Sequence, residues 1–143
     1  MIKRMAVNKR TFFTGLFLLA VGCVLYLALK KNPTDSEEKI LRMRVDIARM
    51  LEAGGTVIER TENAKYGSAH VLLVMSDVGW SEMLTDRYEA VLLANGWTKR
   101  KDLSGYCLNG MRLAIKRHDG MRDGASVNFI GATYNAQTIR DCS

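Results

Sequence analysis

The chain has 143 residues, of which 21 are Lys or Arg and 15 are Asp or Glu, giving a formal net charge of +6. Six of the basic residues and none of the acidic ones fall in the first 31 positions, so the other 112 residues are formally neutral. Nucleic-acid binding needs clustered positive charge on a surface, and this distribution argues against it.

An uncharged run of 19 residues, TFFTGLFLLAVGCVLYLAL, covers positions 11–29 between two basic pairs. As a helix rising about 1.5 Å per residue it would reach roughly 28 Å, close to the thickness of a bilayer's hydrocarbon core. A long domain follows, which is the layout of an uncleaved signal anchor. We therefore expect a single-pass helix in the lipid bilayer of the cell inner (cytoplasmic) membrane, with the C-terminal domain periplasmic or otherwise extracytoplasmic.

Alternatives remain open for this segment. The basic flanks are nearly balanced, so a cytoplasmic domain is the competing orientation. Positions 20–23 (AVGC) loosely match the site at which bacterial lipoproteins are cut and acylated on cysteine, here Cys23, although the chain stays apolar up to position 29. A cleaved secretory signal is disfavoured, because its apolar region is normally about 7 to 15 residues long and ends in small residues.

The rest of the chain predicts one small α+β domain. We assign a basic segment to 1–10, the membrane helix to 11–29, a juxtamembrane linker to 30–36 and the folded domain to 37–143. The predicted element order after the membrane helix is α-β-β-α-β-β-β, which favours a largely antiparallel sheet of about five strands packed by two helices. About 110 residues suffice for one hydrophobic core and not for two.

The first helix of the domain is predicted after Pro33. Thr34 and Glu37 fit a capping box, and Gly54-Gly55 is expected to end the helix. Charged residues, including Asp46, are expected on its solvent-facing sides. Apolar residues recur at helical spacing on the side predicted to face the core: Ile40, Met43, Ile47, Met50 and Leu51.

The second helix is predicted from position 80, with Ser76 or Asp77 as its cap. Asn95-Gly96 is expected to end it, with Trp97 packing back onto its last turn. Its predicted apolar face consists of Trp80, Met83, Leu84, Tyr88, Val91 and Leu92.

Strands are predicted from apolar or alternating runs at 56–66, 69–75, 98–107, 111–117 and 126–134. Asn109-Gly110 is a strong signal for a two-residue hairpin between the third and fourth of them. The fourth strand alternates apolar and polar residues, which predicts one buried and one wet face. Residues 118–124 are expected to form a polar loop.

Cys107 and Cys142 are the only cysteines after the apolar run. An even number outside the cytoplasm is consistent with a disulfide that pins the C-terminal tail to a strand. The alternative is two separate thiols, one half-buried and one terminal. No Cys-x-x-Cys is present, so a zinc or redox motif is not supported.

Candidate chemistry is sparse. His70 lies in the most apolar strand and is expected to be a core or sheet-face residue. His118 with Asp119 is the remaining candidate for a metal or catalytic pair, and a cleft beside Trp80 is the other candidate ligand site. No motif for a nucleophile, nucleotide or metal is found, so no catalytic, cofactor-binding or metal residue is assigned.

The basic run 99–101 beside Trp97 allows two interpretations. It could contact an anionic lipid or phosphate, or it could be the solvated edge of a strand, where lysines discourage edge-to-edge pairing. The second interpretation is favoured because such edges commonly carry lysine.

Three hypotheses for function follow. The leading one is a non-catalytic, membrane-tethered domain that binds a protein partner as a small accessory subunit of an envelope complex. The second is an immunity or inhibitor protein directed against a toxin. The third is a small enzyme or ligand sensor whose site is not recognisable from its motifs.

Overall fold

The structure is a computed structural model that describes residues 9–31, 35–65 and 67–143. In the first helix, side chains are described for residues 13–27. Thr34, predicted to take part in a capping box, lies outside the described residues.

The chain divides into two units, residues 1–32 and 33–143. The first contains α1, Lys9–Lys31, in which every described side chain is exposed. A helix therefore occupies the predicted apolar run. Within the described part of the chain, no helix is both long and apolar enough to cross a membrane. The crossing itself stays a prediction.

The second unit is an α+β domain, as predicted, built on a six-stranded antiparallel sheet with the order β1-β2-β6-β5-β4-β3. Its elements in chain order are α2 Ser36–Leu51, β1 Val57–Lys65, β2 Ser68–Ser76, α3 Glu82–Ala94, β3 Thr98–Arg100, β4 Gly105–Leu108, β5 Met111–Arg122, β6 Ala125–Tyr134 and α4 Ala136–Asp141. The predicted count of about five strands and two domain helices is wrong by one strand and one helix.

Left-handed backbone positions explain where the strands differ from prediction. Ser104, with φ 50°, lies in a turn that divides the predicted strand 98–107 into β3 and β4. The predicted loop at 118–124 is wrong, because β5 continues to Arg122 and the hairpin turn falls at Asp123-Gly124, where φ is 51° and 80°. Both central residues of a type I′ turn need positive φ. The hairpin predicted at Asn109-Gly110 is confirmed.

The extra helix, α4, follows a polar cap that the sequence analysis did not consider. The Asn135 side chain accepts hydrogen bonds from the backbone N–H groups of Gln137 and Thr138, and the Thr138 hydroxyl accepts one from the Asn135 N–H. This reciprocal arrangement satisfies donors that a helix start leaves unpaired.

The helices α2 and α3 form the core with one face of the sheet. The predicted α2 face is confirmed, since Ile40, Met43, Ile47 and Met50 are at most 2% exposed. In α3 the buried residues are Leu84, Tyr88 and Leu92, whereas Met83 is 62% exposed and does not belong to the predicted face. The cap is Ser81, whose Oγ accepts from the Leu84 N–H at 3.1 Å, and not Ser76 or Asp77.

A buried carboxylate joins the two helices. Asp46 of α2 is fully buried, contrary to its predicted place on a solvent-facing side. Its Oδ2 accepts hydrogen bonds from Trp97 Nε1 at 2.9 Å and from Arg42 Nε at 2.8 Å. Trp97 itself is 1% exposed and follows Gly96, which ends α3 with φ 89°, as predicted. Burying a charge costs free energy unless it is paired. These two donors pair Oδ2, whereas the buried Oδ1 has no hydrogen-bond partner among the described residues.

The Cys107–Cys142 disulfide is present, with the Cα atoms 5.1 Å apart. Cys107 lies in β4 and Cys142 directly follows α4, so the bond fixes the C-terminal helix to the sheet. A closed loop of this size stabilises a fold by about 3 to 4 kcal/mol in the chain-entropy model.

We expect Asp46→Ala to lower the free energy of unfolding by about 2 kcal/mol, because the Trp97 N–H loses its acceptor while it stays buried. A double-mutant cycle with Trp97→Phe should give a coupling energy of about 1 kcal/mol. The measurement is urea unfolding of the full chain in non-denaturing detergent, followed by circular dichroism.

The matched control is Asp102→Ala, which removes an exposed carboxylate paired with the exposed Arg100 and should change stability by less than about 0.5 kcal/mol. Strictly additive effects of Asp46→Ala and Trp97→Phe would show that the bond between them contributes nothing.

Candidate functional site

The face of the sheet opposite α2 and α3 is half-exposed. Along β6 the burial alternates, so that Ile130, Ala132 and Tyr134 are buried while the intervening Phe129, Gly131 and Thr133 are partly accessible. The buried set belongs to the core cluster under the helices. Because side chains of a strand alternate between faces, the accessible set marks the second face of the sheet.

The strand register arranges this second face in rows across the strands. One row is polar and contains Asn63, His70, Thr133 and Arg112. The next contains Leu72, Gly131 and Ala114, and a third contains Val74, Phe129 and Lys116. An apolar strip is therefore bordered by hydrogen-bonding groups on one side.

The apolar strip contains a depression, called here the open-face groove. Its volume is about 380 Å³, and it is lined by Leu72, Ala114, Lys116, Asp119, Phe129 and Gly131. A Cβ placed on Gly131 would meet only Leu72 Cδ1, at 3.8 Å, within 4 Å. The Lys116–Asp119 ion pair, 3.1 Å between Nζ and Oδ2, contributes the charged part of the lining. The groove therefore has room for an apolar side chain beside a charged rim.

The polar row beside the groove contains a buried donor that has no partner among the described residues. His70 Nδ1 lies 3.1 Å from Thr133 Oγ1, so these two side chains satisfy each other. The Arg112 guanidinium donates through Nη2 to the Leu103 carbonyl. Its Nε is buried and has no hydrogen-bond partner among the described residues. Because this atom is buried, it is not available to a ligand from outside.

This groove was not predicted from the sequence, for identifiable reasons. Residues 69–75 form the most apolar of the predicted strands, and an uninterrupted apolar run is typical of a central strand that is covered on both faces. Two other residues indicate that the second face is accessible. Ala114 lies between Arg112 and Lys116 on the predicted wet face of its strand, and Gly131 lies within β6. A glycine inside a strand often marks a place where another chain approaches closely.

The predicted pair His118 and Asp119 does not form. His118 lies at an irregular point of β5 with φ 50°, and its Nδ1 is 3.1 Å from Ser126 Oγ and 3.4 Å from Asp77 Oδ1. Asp119 pairs with Lys116 instead. Fully buried Asn128 holds this cluster, since it accepts from the His118 N–H at 3.0 Å and donates to Asp77 at 3.1 Å.

The His118 cluster borders a cavity of about 460 Å³ whose lining includes Asp77 and Ser126. A serine nucleophile needs the histidine nitrogen opposite to the one that the carboxylate contacts. Here the hydroxyl and the carboxylate meet the same nitrogen, so the three groups do not form a nucleophilic relay. Among the described residues, no three His, Cys, Asp or Glu side chains are placed to hold a metal ion.

The other candidate sites are occupied by internal contacts. Trp80 packs edge-on against Tyr88, with ring centroids 5.7 Å apart. The Tyr88 hydroxyl donates to the Gly54 carbonyl at 2.6 Å, and burial raises the pKa of this phenol. Trp80 is thus half-buried against the core, and its buried Nε1 has no hydrogen-bond partner among the described residues.

Two cations of the basic run 99–101, Lys99 and Arg100, pair with neighbouring carboxylates. Lys99 Nζ lies 2.6 and 2.8 Å from the two carboxylate oxygens of Glu89, and the Tyr106 hydroxyl donates to the same carboxylate at 2.9 Å. Arg100 pairs with Asp102. The hydrogen bond from Lys99, together with that from Tyr106, outweighs desolvation and lowers the pKa of Glu89 below its usual value of about 4.5.

Comparison with protein-family models, with curated proteins and with solved structures found no match for this chain.

Glu89 should make stability depend on pH. Its folded-state pKa is depressed, so its contribution is present above the unfolded pKa of about 4.5 and disappears as the pH falls through the lower folded value. We expect Glu89→Gln to destabilise the domain by about 1 kcal/mol at pH 7 and by much less near pH 3. The measurement is urea unfolding of both proteins at each pH, with exposed Glu52→Gln as the control. A difference between wild type and Glu89→Gln that grows toward pH 3 would contradict the assignment.

Proposed function

We propose that this protein is a single-pass, membrane-anchored binding module whose extracytoplasmic domain holds a protein partner at the open-face groove, as an accessory subunit of an envelope complex. The observation that carries the proposal is the half-exposed apolar strip on the face of the sheet that α2 and α3 leave uncovered. No catalytic step is proposed.

The composition of the groove supports a protein partner. Leu72 and Phe129 provide apolar walls, while Ala114 and Gly131 are small enough to admit a side chain from outside. The surrounding polar row and the Lys116 ion pair resemble the polar rim that encloses the apolar centre of protein interfaces. Small apolar pockets of this kind accept the anchor residues that contribute most of the binding energy.

The membrane anchor is supported by sequence and by exposure. The 19-residue uncharged run is long enough for a bilayer core. Large apolar side chains of α1 such as Phe17 and Leu19, each 68% exposed, have no core of their own to enter. In water such exposure is unfavourable, at about 25 cal/mol per Å² of apolar surface, whereas lipid removes that cost. Basic residues at both ends of the run suit the headgroup layers.

The disulfide supports the extracytoplasmic orientation. Disulfides persist in oxidising compartments and are rare in the cytosol. The Cys107–Cys142 bond is buried at both ends, so it is part of the folded domain and not a surface contact.

The anchor and its orientation give one prediction. Met121, 74% exposed at the β5–β6 hairpin, is replaced by cysteine as a reporter. A membrane-impermeant maleimide should label Met121→Cys in intact cells, and alkaline carbonate should leave the chain in the membrane pellet. Adding Leu18→Arg and Leu19→Arg should release the chain, because each arginine costs about 3 kcal/mol at the centre of a span. Labelling only after lysis would contradict the orientation, and carbonate release of the original chain would contradict the anchor.

Partner binding gives a second prediction. The full chain, extracted in mild detergent at native expression, should co-purify with a stoichiometric protein that is lost in Leu72→Lys, because the new ammonium occupies the apolar wall. Leu93→Lys is the matched control, since Leu93 is an equally large apolar residue that is 47% exposed on α3. Circular dichroism verifies that both variants fold. Equal recovery of the protein with both variants would show that the groove is not its binding site.

A further inference from the structure

The outer edge of β5 is unpaired next to the groove. On one side β5 pairs with β6 continuously from Met111 to Lys116. On the other side β4 pairs only with Met111, Arg112 and Leu113, because the turn at Ser104 starts β4 no earlier than Gly105. Pairing with β4 therefore ends at Leu113, and Gly105 at the start of β4 still lies beside Ala114. From Ile115 to the irregularity that follows Lys116, no strand pairs with this side of β5 in the described part of the chain.

The backbone polar groups at this edge point outward. The pair Leu108 and Met111 closes a two-residue hairpin, so both exchange hydrogen bonds across it. Groups of an antiparallel strand alternate between its two sides, so Leu113 points toward β4 as Met111 does. A Cβ on Gly105 would lie 2.5 Å from the Leu113 carbonyl oxygen, in agreement with this direction. Ile115, two residues further, then presents its N–H and C=O to the open edge.

Two depressions flank this edge, one on each face of the sheet. The open-face groove includes Ala114 and Lys116 in its lining. A second cavity, of about 240 Å³, lies on the side of α3 and includes Ile115, Glu89 and Lys101. A strand added beside β5 would direct successive side chains alternately into the two. This is the arrangement of strand addition, in which the backbone supplies affinity and the alternate pockets supply specificity.

The charges at the edge define the chemistry of an added segment. Lys101 is exposed, and its ammonium has no ion-pair or hydrogen-bond partner in the described part of the chain, whereas the Lys99 ammonium is paired with Glu89. Lys116 and Arg117 follow Ile115 on the strand itself and are paired with Asp119 and Glu82, at 3.1 and 3.6 Å. Cations on an edge strand discourage pairing with apolar or basic strands, and they favour a segment that carries carboxylates.

We propose that an extended, acidic segment of the partner protein adds as a strand to the free edge of β5 at residues 115–117. One apolar side chain of that segment enters the open-face groove, and a carboxylate on the other face pairs with Lys101. The inference rests on the proposed function and specifies how the partner is held.

The test is selection of a random heptapeptide display library on the full chain in lipid nanodiscs, with empty nanodiscs as counter-selection. Enriched peptides should combine acidic with apolar residues. The affinity for an enriched peptide is measured by fluorescence anisotropy. Lys101→Glu should lower this affinity about tenfold because it reverses the charge, and Gly131→Val should lower it about tenfold because the new side chain fills the groove. Ile115→Pro removes the outward N–H and should abolish binding. Lys65→Glu, a charge reversal at the exposed end of β1, is the matched control.

Absence of enrichment over empty nanodiscs, or equal affinity for Lys101→Glu and Lys65→Glu, would overturn strand addition. A partner lost from Leu72→Lys but retained by Lys101→Glu would also overturn it while leaving the proposed function in place. Light scattering tests whether a second copy of this chain, and not a partner protein, occupies the edge of β5. A two-protomer mass that Ile115→Pro reduces to one would place that copy at the edge and overturn the acidic partner.

Discussion

The buried hydrogen bond from Trp97 to Asp46 connects the two long helices of the domain over one face of the sheet. Asp46 belongs to α2, and Trp97 follows the end of α3, so the bond holds the two helices together over the same side. Arg42 strengthens the connection, because its guanidinium reaches both Asp46 and the carbonyl of Asn95 at the end of α3. Because both long helices of the domain pack on the same face of the sheet, the apolar strip on the opposite face is left half-exposed.

The uncovered face is cross-linked at one end by the disulfide. In β4 the two neighbours of Cys107 face the core: Tyr106 belongs to it and Leu108 packs against it. Because side chains alternate along a strand, Cys107 and its disulfide lie toward the opposite face. It brings the end of α4 beside Arg112, the strand neighbour of Cys107. A groove supported by paired strands and a covalent bond loses little conformational entropy on binding, which favours affinity.

Local patterns in the sequence predicted most of the scaffold. The Asn109-Gly110 turn and the buried face of α2 follow from short-range sterics and helical periodicity, and both are confirmed. Asp46 was placed wrongly because a carboxylate is normally exposed, and its partner Trp97 is distant in the chain. The length of β5 was missed because residues 117–119 interrupt its alternation, so that His118 adopts positive φ opposite Asn128. A local sequence pattern does not show that Asn128 on the neighbouring strand accommodates this interruption of β5.

The groove was harder to predict than the fold because it depends on what is absent above a strand. Leu72 and Phe129 look like core residues in the sequence, and only the joint placement of α2 and α3 leaves them accessible. The unpaired edge of β5 arises similarly, from the early turn at Ser104 and not from any property of Ile115 itself. Binding features of this kind come from how elements end and which faces they leave uncovered, so they appear only when the register of the whole sheet is known.

The open edge of β5 has a defined direction relative to the point at which the chain enters the domain. Asp35, at the start of α2, accepts a hydrogen bond from the Tyr134 hydroxyl at 2.5 Å, and Tyr134 pairs with Met111 at the beginning of β5. The open edge therefore starts a few residues beyond the entry point and runs away from it along β5. A strand added to this edge would therefore extend from the end of the domain at which Asp35 lies toward the β5–β6 hairpin.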